Sequence, residues 1–331
     1  MMTPYELFKM NLLSPLVLAF VLGIFAKVIR SELSLPKDLY TSLSIYLLLA
    51  LGLKGGVELS LTTFQEIAWP ALVTLFLGVL TPVTAYLAFR KLGQFNPIDA
   101  AGIAAHYGSV SAVTFIAATQ FVASAGGQIE GFLPTLLTLL ESPGIHVALG
   151  IGALHRVRSK AGTAGQGSSP SVLHEILTSR SLLLLVGGLV IGFLIGERNY
   201  EPIKPFFESG FKGALVLFLL EMGLVAGERL KDLKRTGGRI VTLGILIPIL
   251  HGTLGVLLGE WAGLSVGGAC VLGAMAGSAS YIAAPPAVRM TLPEANPAYS
   301  LTASLVVTFP FNLLAGIPLY YAIASGLAGG L

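Results

Sequence analysis

"HYGSVSAVTFIAA", residues 106–118, interrupts an apolar run with a Gly-Ser-x-Ser step, and "AGSASYIAAPPAV", residues 276–288, does so again. In hydrocarbon every backbone polar group needs an internal partner. A helix is therefore broken at membrane depth only where the freed N–H and C=O groups line a protein cavity or bind something. Gly108 and Gly277 let the chain bend, while Ser109, Ser111, Ser278 and Ser280 can cap the amides exposed at the interruption. A half-helix starting there turns the positive end of its dipole inward and can hold an anion without an arginine. One such copy reads as a close-packing device. Two copies at matched positions read as a site, formed by Gly108, Ser109, Val110 and Ser111 with Gly277, Ser278, Ala279 and Ser280, and flanked by Thr114 and Tyr281.

The composition sets the solvent. Of the 331 residues, 54% are hydrophobic and 11% charged, and the mean hydropathy is +0.81, far from soluble usage. The chain is an all-α integral membrane protein. Apolar stretches at 12–29, 40–57, 68–89, 98–123, 133–154, 180–196, 211–228, 240–261, 265–288 and 298–324 each approach the roughly 20 residues a crossing helix needs, which predicts ten spans. No small-residue cleavage pattern follows the opening MMTPYELFKM, so span 1 reads as retained. The single cysteine, Cys270, excludes an internal disulfide or a thiolate metal cluster.

Assigning loops alternately to the two faces puts Lys27, Arg30, Lys37, Arg90, Lys91, Arg156, Arg158, Lys160, Arg180, Arg229, Lys231, Lys234, Arg235, Arg239 and Arg289 on one side, 15 of the 20 basic residues. The positive-inside rule makes that side cytoplasmic and leaves both termini outside the cell membrane. "HRVRSKAGTAGQGSSPSVLHEILTSR", residues 155–180, reads as a Gly/Ser-rich cytoplasmic linker. The organisation is then repeat 1 over 1–154, the linker over 155–179 and repeat 2 over 180–331. Gly52 and Gly56 recur as Gly223 and Gly227 at an offset of 171, Gly108–Ser111 as Gly277–Ser280 at 169, and Pro143 as Pro310 at 167. Three landmarks in one order argue for an internal repeat. Five spans per repeat is an odd number, so the second copy enters the membrane inverted, a construction common among secondary transporters.

"LLESPGIHVALGI", residues 139–151, sets Glu141 beside Pro143, and its counterpart "VTFPFNLLAGI", 306–317, carries Thr308, Pro310 and Asn312. A carboxylate at the bilayer centre costs about 2.5–3.5 kcal/mol on insertion scales and by default is functional. Glu141, Thr308 and Asn312 supply hard oxygens suited to sodium; the structural alternative is a protonated Glu141 bonded to a neighbouring helix. Glu221 is a second intramembrane acid, and Lys54 reads either as its partner or as a snorkelling residue.

"GSASYIAAPPAVRMTLPEANPAYSLTASLVVTFPFNLLAGIPLYYAIA", residues 277–324, closely resembles the end of the cyanobacterial sodium-dependent bicarbonate transporters, most specifically over "PEANP" and "TFPFN". "GSVSAVTF" resembles their first-repeat motif, although Glu141-Ser142-Pro143 stands where those members read Asp-Ile-Pro. The resemblance implies two inverted repeats of five spans, with a core of spans 3–5 and 8–10 moving against a gate of spans 1, 2, 6 and 7. It also implies a homotrimer and, in the cyanobacterial members, a small trimeric cytoplasmic signalling protein on the inner face. The expected function is symport of sodium, the coupling ion, with a small oxyanion, bicarbonate foremost, and with no further cofactor, no nucleic-acid partner and no enzymatic activity.

Two other classes compete. An intramembrane hydrolase would pair Ser109 or Ser111 with His106 or His146. His106 lies only three residues before Ser109, and a lone histidine there reads as packed or water-facing. An anion channel or a membrane sensor would use the same Gly-rich scaffold without accumulating its ligand, and symport of another small anion would leave the scaffold unchanged.

Overall fold

A computed structural model describes residues 3–141, 143–159 and 180–329. Most of the linker, 160–179, lies outside them, as does Ser142 of the Glu-Ser-Pro step. The described residues contain helices and no strand. Eight helices among them are long and apolar enough to cross a membrane, nine when one sharply bent pair is counted as a span.

That bent pair is α1 (Pro4–Leu12) and α2 (Pro15–Val28), which meet at 58°. Span 1 as read from the sequence is thus a broken unit that begins earlier. Pro15 has no N–H to continue a helix, and Ser14 restarts the chain by accepting from Val17 N at 3.3 Å. There follow α3 (Lys37–Leu61), α4 (Phe64–Leu92), α5 (Pro97–Tyr107), α6 (Ala112–Ser124), α7 (Leu133–Glu141) and α8 (Pro143–Ser159). The last of these continues through the first residues of the segment read as linker. Beyond the linker come α9 (Arg180–Tyr200), α10 (Gly210–Thr236), α11 (Gly238–Trp261), α12 (Val266–Ala276) and α13 (Ala284–Thr291). The chain closes with α14 (Pro297–Ala328). Two stretches of α14, Thr302–Thr308 and Asn312–Gly316, wind as π-helix on either side of Pro310, since a proline that cannot donate shifts the hydrogen bonds around it.

The Gly-x-x-x-Gly pairs make the tightest helix contacts. A Cβ on Gly52 of α3 would stand 2.9 Å from the Gly188 Cα of α9, and one on Gly223 of α10 would stand 3.0 Å from the Gly23 Cα of α2. Helices α3 with α9, and α2 with α10, therefore pack backbone to backbone, as small residues permit in lipid. The remaining helices assemble around α4, α5, α8, α11 and α12, with Leu77, Phe115, Leu136 and Tyr320 fully buried among them.

Two carboxylates clip this second assembly at opposite ends. Asp99 in the first turn of α5 accepts from the backbone N–H of Asn296, the residue capping α14, at 2.7 Å, and from Asn96 Nδ2 at 2.6 Å. Glu130 accepts from the N–H of Ser265, the residue capping α12, at 2.6 Å, while Ser265 Oγ donates to the Gln128 carbonyl at 3.1 Å. Trp69 and Trp261 are both exposed and meet edge to face at 4.7 Å between centroids.

Candidate functional site

The two Gly-Ser-x-Ser steps fall where two helices break. Helix α5 ends at Gly108, whose N–H reaches the Ala104 carbonyl at 2.8 Å, and α6 restarts at Ala112 with Ser111 Oγ accepting from Thr114 N at 3.3 Å. Helix α12 ends at Gly277 on the Gly273 carbonyl at 2.8 Å, and Ser280 Oγ accepts from Ala283 N at 3.2 Å just ahead of α13. The fourth residue of each motif thus accepts from an N–H three residues on: Ser111 caps α6, and Ser280 holds the turn leading into α13. A helix start leaves its first N–H groups without an intrahelical partner, so the α6 start presents donors at this buried break, whereas Pro285 and Pro286 leave the α13 start with fewer.

The breaks also bind each other. Ser280 N donates to the carbonyls of His106 at 2.8 Å and Ser109 at 3.0 Å, while Ser111 N donates to Ser278 Oγ at 2.9 Å. The second motif residue supports the crossing from behind: Ser109 Oγ donates to the Glu141 carbonyl at 3.0 Å, and Ser278 Oγ donates to the Met275 carbonyl at 2.7 Å. All four serines are buried.

Glycine is required here for space rather than for an unusual conformation. Gly108 and Gly277 have φ of −82° and −78°, which any residue adopts. A Cβ on Gly108, however, would meet the Gly144 carbonyl carbon at 2.6 Å and Pro82 at 2.8 Å, and one on Gly277 would meet Tyr320 Oη at 2.7 Å and the Pro248 carbonyl at 2.8 Å. The bend expected of these glycines is instead taken at the serines, where Ser111 is extended.

A small cleft opens on the crossing, lined by Val110, Ser111, Ala112 and Glu141 on one side and by Ser280, Tyr281, Ile282 and Ala283 on the other. Of the residues expected to touch a ligand, Val110, Ser111, Ser280 and Tyr281 line it. Ser109, Ser278 and Ala279 lie behind it as support, and Thr114 is buried one turn further along α6. Ala112, Ile282 and Ala283 line the cleft without having been singled out by type, being apolar; their position within three residues after each Gly-Ser-x-Ser was the available signal.

The three candidate sodium ligands have separate surroundings. Glu141 lines the cleft. Thr308 Oγ1 donates to the Gly244 carbonyl at 2.8 Å and is hydrogen-bonded to Tyr107 Oη at 2.6 Å. Asn312 Nδ2 donates to the Gly277 carbonyl at 2.8 Å, and Tyr320 Oη donates to Asn312 Oδ1 at 2.9 Å. Thr308 and Asn312 thus brace the crossing from behind, and Tyr107 and Tyr320, which complete the bracing, carried no signal beyond being tyrosines in apolar spans.

A larger cavity of about 420 Å³ lies between α3, α6 and α10 and reaches down to Phe115 and Ile116 in the first turn of α6. Lys54, Glu58, Glu130, Glu208 and Lys212 give it charged walls. Lys54 pairs with Glu208 at 3.6 Å, not with Glu221, and its half-exposed side chain lines this cavity. A Ser–His106 pair does not form: Ser109 and Ser111 are engaged as above, and both ring nitrogens of His106 are buried without a hydrogen-bond partner.

The sequence profile of the Na+-dependent bicarbonate transporter superfamily matches residues 15–325, nearly the whole chain. This protein belongs to that superfamily. It is a multi-pass membrane protein of a transporter family. Comparison with curated proteins returned no match.

Proposed function

We propose that this member of the superfamily is a symporter that couples sodium to a small oxyanion, bicarbonate, through alternating access. The observation carrying the reading is the crossing itself: two half-helix starts, from α6 and α13, meet on one cleft and hold each other by Ser280 N and Ser111 N. Converging N-termini in a water-poor interior favour a monovalent oxyanion, which accepts from several N–H and O–H donors at once. In this reading Ser111, Ser280 and the flanking amides hold the anion, with Tyr281 at the rim. Glu141, Thr308 and Asn312 are the candidate sodium ligands, Glu141 foremost because it shares the cleft.

Ten spans in two inverted repeats of five follow when the pairs α1–α2, α5–α6, α7–α8 and α12–α13 each count as one crossing. Matched roles support the inversion: Ser111 caps α6 as Ser280 precedes α13, and α2 with α10 mirrors α3 with α9. The tightly packed α2, α3, α9 and α10 form the gate against which the remaining helices rock, and the 420 Å³ cavity is the outward approach. Both termini then lie outside, and the homotrimer and the cytoplasmic signalling partner extend the resemblance. One sodium with one bicarbonate moves no net charge, and each tenfold sodium gradient supplies about 1.4 kcal/mol. A second sodium would add about 2.3 kcal/mol per 100 mV of membrane potential.

The test is uptake of radiolabelled bicarbonate by proteoliposomes with and without an inward sodium gradient at fixed pH. Accumulation above equilibrium, dependent on sodium, is expected. Sodium-independent equilibration would turn the reading to a channel, and no uptake by folded protein would turn it to a sensor or to another anion.

A further inference from the structure

Asn11 sits in α1, ahead of the apolar stretch from which span 1 is read, yet its side chain is buried and reaches 302 residues along the chain. Its Nδ2 donates to the carbonyls of Leu313 at 2.7 Å and Leu314 at 3.2 Å. Neither carbonyl keeps the α-helical donor four residues on. Leu314 would accept from the residue four positions on, which is Pro318 and has no N–H. Leu313 would accept from Ile317, whose N–H goes instead to the Asn312 carbonyl because this turn is π-helical. Two buried carbonyls without donors would each cost about 1–3 kcal/mol, and one primary amide, with two hydrogens, satisfies both.

The turn so stabilised starts with Asn312, whose amide holds the Gly277 carbonyl at the edge of the central crossing. Four groups are therefore linked in series: the Asn11 amide, the Leu313–Leu314 carbonyls, the Asn312 side chain and the Gly277 carbonyl. We propose that Asn11 is a positioning residue for the central site, fixing the π-helical turn in the register that aims Asn312 at Gly277 and thereby setting the affinity for sodium. This rests on the symport reading, with Asn312 beside the ion.

The test compares Asn11→Leu, which keeps the size and removes both donors, with Asn11→Gln, which keeps the amide on a longer stem. Leu7→Ala is the control for lost packing, since Leu7 is a buried apolar residue one turn before Asn11 on the same helix and has no side-chain donor. For each purified variant the sodium concentration giving half-maximal bicarbonate uptake is measured in proteoliposomes, and the sodium dependence of the melting temperature is measured in detergent. Asn11→Leu is expected to raise both half-saturation values about tenfold with the maximal rate within twofold of wild type. Asn11→Gln should recover most of that shift, and Leu7→Ala should lower stability without moving either value. If Asn11→Leu does not fold, Asn11→Ser, which leaves a single donor, is read for a shift of about threefold. An unchanged half-saturation in the donor-deficient variant, or an equal shift in Leu7→Ala, overturns the proposal. Wild-type protein that is stabilised by sodium but does not accumulate bicarbonate removes the symport reading and leaves the thermal comparison to decide on Asn11. Wild-type protein lacking both responses removes both.

Discussion

The backbone N–H of Ser111 donates to the hydroxyl oxygen of Ser278 at 2.9 Å. An orphan amide at one helix break is thus satisfied by a side chain from the other, 167 residues away, so neither break is complete alone. That reciprocity explains why the motif occurs twice.

Removing the shared oxygen should therefore damage both halves. Ser278→Ala leaves Ser111 N without its acceptor in a buried setting, at a cost of about 1–3 kcal/mol. Melting in detergent should show a lower midpoint, and uptake should fall at least tenfold, whereas Ser278→Thr, which keeps the oxygen, should retain most transport. Leucine at Ser109 or Ser278 should abolish uptake while leaving membrane insertion intact.

Glycines that look alike in the sequence should behave differently. Gly108→Ala and Gly277→Ala bring a Cβ within 2.6–2.8 Å of neighbouring atoms, including the Gly144 and Pro248 backbone, and are expected to lose transport and most folded protein. Gly187→Ala, where a Cβ meets nothing within 4 Å, should be neutral or slightly stabilising. Size-exclusion profiles and uptake per folded molecule measure both.

Glu141→Gln keeps the shape and removes the ionisable group from the cleft. Sodium half-saturation should rise at least tenfold, with smaller effect on bicarbonate half-saturation measured at high sodium. An unaltered sodium dependence would take Glu141 out of the ion site.

Backbone contact between α3 and α9 predicts that Gly52→Leu is not accommodated, since a Cβ there already stands 2.7 Å from the Leu185 carbonyl oxygen. Gly223→Leu should fail in the same way between α10 and α2. Loss of the monodisperse peak with either, and its retention with Gly213→Ala, where the added Cβ meets open space, would confirm that these pairs hold the helices together.

The sequence made the two central helix breaks legible because a Gly-Ser-x-Ser step is costly in hydrocarbon and has few uses there. The Gly-x-x-x-Gly pairs were legible for a related reason: small residues at one-turn spacing have a strong packing meaning. The supporting residues were not. Asn11 lies outside every apolar stretch, and its role depends on Pro318, a proline that marks a missing N–H without saying what replaces it. Lys54 has Glu221 as its candidate partner in the sequence, and only the fold shows that Glu208 is the acid it meets. The π-helical turns of α14 follow from Pro310 and Pro318 acting together with packing, which a helical period does not register. Thr308 and Asn312 illustrate the limit most clearly: oxygen-bearing side chains read as ion ligands, while the structure gives each of them protein partners as well.

The 58° corner at Leu13–Ser14–Pro15 joins two helices with different neighbours: α1 leans on α14, whereas α2 runs along α10. The chain therefore changes sides within about three residues near its beginning. Any displacement of one group of helices past the other must be absorbed at that corner, whose reach is about 10 Å when fully extended. The start of the chain is in this sense a leash, and its shortness bounds how far the two bodies can travel.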